Sequence, residues 1–123
     1  MDLKQALRMG LALAHEVRWA IVEAILHEEG SLYVFAIRDY VNAQLKRHLE
    51  QPTISHHIRI LVSANLLYPV KDGLYAYYQV DEKVLEEYLL FLLEEMVFCH
   101  VSSRLKEKLI SYVLERTQKK IER

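Results

Sequence analysis

His56 and His57 stand side by side in the stretch QPTISHHIRILVSANLL, shortly ahead of an Asp-Gly pair set among tyrosines. Imidazoles so placed have three chemical uses: metal ligation, proton transfer, or hydrogen bonding to a polar partner. Neighbours on a helix point about 100° apart, so these two cannot jointly grip one ion as residues at i and i+4 can. No cysteine lies near them, and no Gly-rich phosphate loop, carboxylate pair or nucleophile elbow accompanies them. Surface exposure or packing is the plain alternative. Polar residues at the start of a helix are also placed to touch bases or phosphates, and that reading is the one favoured.

The elements that position the pair follow from periodicity. Apolar residues return every three or four positions at Leu3, Leu7 and Leu11, then at Val17, Ile21, Ile25 and Leu26. This predicts helices over 2–13 and 15–29, with Gly30 ending the second. Residues 32–34 read as a short strand. The helical period resumes from Ala36 to Leu49 as a third helix, or as a helix followed by an irregular turn. Pro52 suits the start of a fourth helix over 52–64. There Ile54, Ile58, Leu61 and Val62 share one face, Thr53, His56, Ile60 and Ser63 lie opposite, and His57 and Arg59 fall on the flanks.

Two β-rich runs, LLYPV and LYAYYQV, follow, joined by Asp72 and Gly73, a hairpin signal in which both central residues take positive φ. In the second run Leu74, Ala76, Tyr78 and Val80 alternate with Tyr75, Tyr77 and Gln79, so that one face packs and the other is wet. From Asp81 onward there is no Gly or Pro, and an unbroken helix there would be about 60 Å long, so it projects, kinks near HVSSR, or packs on a second copy. Leu85, Leu89, Leu92, Met96, Leu105, Leu109 and Val113 form an apolar stripe that one small domain hardly covers. A homodimer through this helix and the N-terminal helix is therefore expected.

Composition narrows the class. The 123 residues are 52% hydrophobic and 27% charged, with three Gly and two Pro, which excludes a disordered chain. The single cysteine, Cys99, permits no intrachain disulfide, and no leader or membrane span is legible, so a cytoplasmic protein is expected. The net charge of −1 gives no general affinity for polyanions, but it is unevenly spread: about +2 with three histidines over 36–73, about −5 over 81–95 and about +4 over 101–123. The expected architecture is mainly α with a small β-hairpin wing. Residues 1–80 would hold the functional core and 81–123 the long C-terminal dimerisation helix, in one compact unit.

Two helices joined by a short turn, the second polar outward and followed by a hairpin, make a winged helix-turn-helix, whose second helix fits the DNA major groove. The blocks LALAHEVRWAIVEAIL, QPTISHHIRILVSANLL and DGLYAYYQV, within residues 11–80, resemble the signature blocks of the ArsR/SmtB family of small dimeric transcription regulators. Gln51, Pro52, Thr53, Ser55, His56, His57 and Leu61 are the same as, or similar to, residues of that family's recognition helix. Arg18 matches an arginine usual in the first block, and Asp72, Gly73, Tyr77 and Tyr78 match the wing. The resemblance implies a homodimeric regulator of double-stranded DNA, a repressor at an inverted repeat and not an enzyme. The expected DNA contacts are Gln51, Thr53, Ser55, His56, His57 and Arg59 on the helix, Lys71 on the wing, and Lys46 and Arg47 ahead of the helix.

The chain also departs from the family. Tyr33 and Phe35 stand where many members carry sensor cysteines, and the positions of a second metal site hold Glu82, Val84, Glu95 and Phe98, of which only the glutamates can ligate. No metal and no cofactor are expected, and Cys99 and His100 read as core or interface filling. The segment before the recognition helix is about six residues longer than usual and has no Gly at its turn. Glu50 stands where a serine is common. Its carboxylate is able to cap the helix but brings negative charge close to phosphate, while Lys46, Arg47 and His48 either restore backbone contacts or form a solvated charged face. Titration of His56 and His57 would make DNA binding pH-sensitive. The rival reading is a winged-helix module for protein assembly, in keeping with the near-neutral charge.

Overall fold

Asp2 starts the first helix, α1 (Leu3–Leu13), with a capping box: its carboxylate accepts from the Gln5 N–H (2.8 Å), and the Gln5 side chain accepts from the Asp2 N–H (3.0 Å). His15 caps the second, α2 (Glu16–His27), where its Nδ1 accepts from the Val17 N–H (3.1 Å). The chain continues through β1 (Ser31–Tyr33), α3 (Val34–Leu45), α4 (Gln51–Ser63), β2 (Leu67–Asp72), β3 (Tyr75–Val80) and α5 (Glu82–Leu92). This computed structural model describes residues 1–28, 31–97 and 103–121, and it divides into two compact units, Met1–Tyr88 and Leu89–Arg123.

In the first unit the core is built where three helices meet. Ile21 and Ile25 of α2, Ile37 and Val41 of α3, and Ile54, Ile58 and Leu61 of α4 are fully buried, joined by Leu66, Leu67 and Val80. Each such side chain contributes about 1.5–3 kcal/mol of burial, which fixes the rotation of α4 about its axis. The three residues α4 buries are those its periodicity assigns to the inner face; Val62, expected with them, is only half-buried.

The expected two-stranded wing is extended by a third strand. Its order is β1-β3-β2, all antiparallel, with Leu32 opposite Tyr78 and Leu67 opposite Val80. Val34, expected to end the strand, opens α3 instead. The hairpin turn is shifted by one residue from the Asp72-Gly73 expectation. Asp72 pairs with Tyr75, so Gly73 and Leu74 are the central residues, and of these only Gly73 has positive φ (62°). Glycine at the first central position is the demand of a II′ turn, whose twist matches the strands. Leu74, expected to open the second strand, is therefore a turn residue and is 99% exposed.

In the second unit Leu93–Val97 form a π-helical turn, and α6 runs over Ser103–Ile121. Of HVSSR, near which a kink is expected, residues 100–102 lie outside the described residues, as do Gly30, Phe98 and Cys99. Among the described residues no helix is long and apolar enough to cross a membrane.

Candidate nucleic-acid interface

The approach to α4 is set by a side-chain clamp. Helix α3 ends at Leu45 and not at Leu49, because Lys46 takes a left-handed conformation (φ 53°, ψ 50°), a position glycine more often fills. Asn42 then holds the excursion closed: its Nδ2 donates to the Leu49 carbonyl (3.1 Å) and its Oδ1 accepts from the Leu49 N–H (2.8 Å). Tyr40 ties α3 to α2 by donating to Glu23 (3.2 Å). The longer segment without a glycine thus remains an ordered turn.

Helix α4 begins at Gln51, one residue before the expected start. Glu50 is its N-cap residue, but the carboxylate does not take up the capping hydrogen bond open to it. The longer glutamate side chain does not fold onto the first N–H groups as Ser or Asp does. At the other end Asn65 adopts positive φ (64°), with the Leu66 N–H bonded to the Leu61 carbonyl and the Asn65 N–H to that of Val62 (both 3.0 Å). This Schellman closure turns the chain directly into the hairpin.

Between these ends Gln51, Thr53, His56 and Arg59 are exposed, while Ser55 and His57 are half-buried. Thr53, His56, Arg59 and Ser63 repeat every three or four residues and form one outward row. Lys71 is exposed on β2 and Lys46 in the turn. Arg47 differs from expectation in one respect: its guanidinium pairs with Glu16 on α2. Both partners are well exposed, so the pair is weak enough to exchange for another anion.

The two histidines part company. His56 faces water, whereas His57 packs its ring 4.6 Å from that of His15, centroid to centroid, and 5.5 Å from that of His56. Arg18 lies behind them. Its Nε donates to the Ala12 carbonyl (2.6 Å) and Nη2 to that of Leu11 (3.3 Å), while Nη1 is 3.5 Å from His57 Nδ1. One guanidinium therefore joins the end of α1, the start of α2 and the inner flank of α4. Burial first, and then the charges of His15, Arg18 and His56, lower the His57 pKa from its ordinary value. A neutral His57 accepting from Arg18 suits this environment. Sequence spacing did not reveal this contact; Arg18 in the first block was its only trace.

The wing is braced from β1. Tyr33 donates to Asp72 (3.2 Å), meets Tyr77 edge-on at 5.6 Å and stacks on Phe35 at 5.7 Å. Tyr33 and Phe35 thus form an aromatic support. Among the described residues no group of three or more His, Cys, Asp or Glu is arranged to hold a metal ion.

No protein-family model matches the chain. It is 43% identical over 63 residues to an uncharacterised HTH-type transcriptional regulator of Methanocaldococcus jannaschii, a match covering 50% of this chain and 64% of that protein, so just under two thirds of the relative's length is spanned. Among solved structures it is similar to a homodimeric winged helix-turn-helix DNA-binding domain from Mycobacterium bovis, described as a possible ArsR-family transcriptional regulator. That likeness has 26% identity and a TM-score of 0.58, over 81% of this chain and 89% of that one. The transcriptional repressor PagR of Bacillus anthracis is similar at 27% identity and a TM-score of 0.54, over 72% of this chain and 94% of the other. The buried face of α4, its closure into the hairpin and these likenesses agree: the chain has the winged helix-turn-helix fold of the ArsR-like transcription regulators, the family its three sequence blocks resemble.

Proposed function

We propose that the protein is a homodimeric transcription regulator that binds double-stranded DNA in the cytoplasm and represses by occupying an inverted repeat, without enzymatic activity. The observation that carries the reading is the division of α4: Ile54, Ile58 and Leu61 lock one side into the core, while Thr53, His56 and Arg59 stand in a solvent-facing row that leads into the hairpin. A helix presented this way fits the major groove, and the hairpin lies over adjacent backbone. Gln51, Thr53, Ser55, His56 and Arg59 take the base-reading and nearby phosphate contacts. Lys46 and Lys71 bind phosphate, and Arg47 joins them when it releases Glu16. His57 supports α4 from its inner flank and reaches DNA only at its edge.

The homodimer is supported by apolar surface left uncovered in the single chain. On α1 Leu3, Leu7 and Leu11 are 61%, 59% and 73% exposed, and Leu89 and Leu90 are also exposed. A second copy is the natural cover for both. Residues 1–80 then form the DNA-binding part and 81–123 the dimerising part. That the similar Mycobacterium bovis domain is homodimeric and PagR is a repressor supports the same reading.

The test is a titration of the protein against labelled fragments of its own upstream region and against random duplex, at 50 and 200 mM salt. Preference for one fragment, with affinity falling at least about a hundredfold across that salt range, is expected for several phosphate contacts per dimer. Equal, salt-insensitive or absent binding to both duplexes contradicts the reading and favours a protein-assembly module.

A further inference from the structure

Beside α4, on the flank facing α1, lies an open basin of about 530 Å³. Its apolar lining comes from Leu11, Ala12, Ile60 and Ala64, and its polar lining from Arg8, Arg18, His56, Arg59 and Ser63. Three guanidiniums and an imidazole thus surround an apolar floor that no carboxylate lines. Arg18 spends its donors on the carbonyls of Leu11 and Ala12 and on His57. Arg8 and Arg59 are exposed, and among the described residues neither guanidinium makes an ion pair or hydrogen bond. The volume is in the range of small-molecule sites, and an apolar body with a few convergent polar groups is their usual make-up.

We propose that this basin binds a small amphipathic organic anion, its apolar body on Ala12, Ile60 and Ala64 and its acidic group toward Arg8 and Arg59. Guanidiniums suit the oxygens of a carboxylate or sulfonate, and two cations lining one basin, with no ion-pair partner among the described residues, are relieved of mutual repulsion when an anion arrives. His56 and Arg59 belong both to this lining and to the DNA-contacting row. The ligand and DNA therefore compete for the same side chains, and a bound anion releases the protein from its operator. That second step rests on the DNA-binding reading; the anion site itself does not.

The experiment uses the full chain and 8-anilinonaphthalene-1-sulfonate, a fluorescent naphthalene carrying one sulfonate, with uncharged N-phenyl-1-naphthylamine as the control of the same apolar body. Saturable binding of the sulfonate is expected, with affinity lowered at least about tenfold in Arg8→Gln and in Arg59→Gln, the loss of one charge-assisted hydrogen bond. Both substitutions are at exposed positions outside the core. The uncharged probe is expected to bind at least about tenfold more weakly and to ignore both substitutions. Equal binding of the two probes, or sulfonate binding unchanged in Arg8→Gln, overturns the anion site. Labelled duplex is then added to the sulfonate-loaded protein. Displacement of the probe as duplex binds supports competition, whereas duplex binding without displacement overturns the shared site and leaves DNA binding standing. Arginine-dependent probe binding with no duplex binding at low salt upholds the anion site and refutes the DNA-binding reading instead.

Discussion

Helices α1 and α4 each bury one face in the same unit, yet they offer opposite surfaces to the outside. Helix α4 buries Ile54, Ile58 and Leu61 and exposes Thr53, His56 and Arg59, whereas α1 buries Ala6, Met9 and Ala12 and exposes Leu3, Leu7 and Leu11. Two alanines and one methionine go inward on α1 while three leucines go outward, a larger apolar surface outside than a lone surface helix would leave. Polar groups on α4 suit a hydrated, charged partner. A leucine row on α1 suits another protein surface, because water is a poor neighbour for three large aliphatic side chains.

Breaking the α1 side should have the largest effect. Leu7→Asp removes a leucine from each copy and puts two carboxylates at the proposed interface, for a loss of at least about 3 kcal/mol in dimerisation. Light scattering at micromolar concentration is expected to find monomer, with operator binding lost in parallel. A Leu7→Asp protein that stays dimeric would remove α1 from the interface.

The α4 side is sharpened by Arg59→Ala, expected to cost about 1–3 kcal/mol in DNA affinity and to flatten the salt dependence while leaving thermal stability and dimerisation unchanged. Equal affinity for wild type and variant would take the outward row out of the interface.

The turn before α4 comes next. Asn42→Ala deletes both hydrogen bonds to Leu49 and should cost about 1–2 kcal/mol in denaturant unfolding. Unchanged stability would show that Lys46 and the core hold the turn unaided.

The smallest effect belongs to His57. Its pKa in the folded protein lies below the ordinary 6.5, so folding favours the neutral ring. The stability this contributes is fully present above pH 6.5 and is lost as pH falls through the lowered value. Melting temperature should therefore drop on acidification below pH 6.5, and less so in His57→Gln. Identical pH slopes for the two proteins would show that His57 is not the group responsible.

The faces of α4 were legible because burial repeats at the helical period within a dozen residues, and the wing because β-rich runs flank a glycine. What stayed hidden depends on distant or single-residue choices. The strand Ser31–Tyr33 pairs with Tyr77–Gln79, far along the chain, and no local pattern announces that pairing. Asn42 reaches Leu49 across a turn whose left-handed residue is lysine, so the usual glycine signal is missing. The Asp-Gly pair marks the hairpin but not its register, so the sequence alone does not show that Leu74 belongs to the turn and not to the strand. Helical periodicity put His57 on a flank but could not say that His15 and Arg18 would meet it there.

The most direct measurement of the difference between the two helices is photo-crosslinking of the intact protein with p-benzoylphenylalanine placed at position 56 or at position 7, in the presence of operator duplex. The account predicts that the probe at 56 captures DNA and that the probe at 7 captures a second copy of the chain. Capture of protein from position 56, or of DNA from position 7, would contradict it.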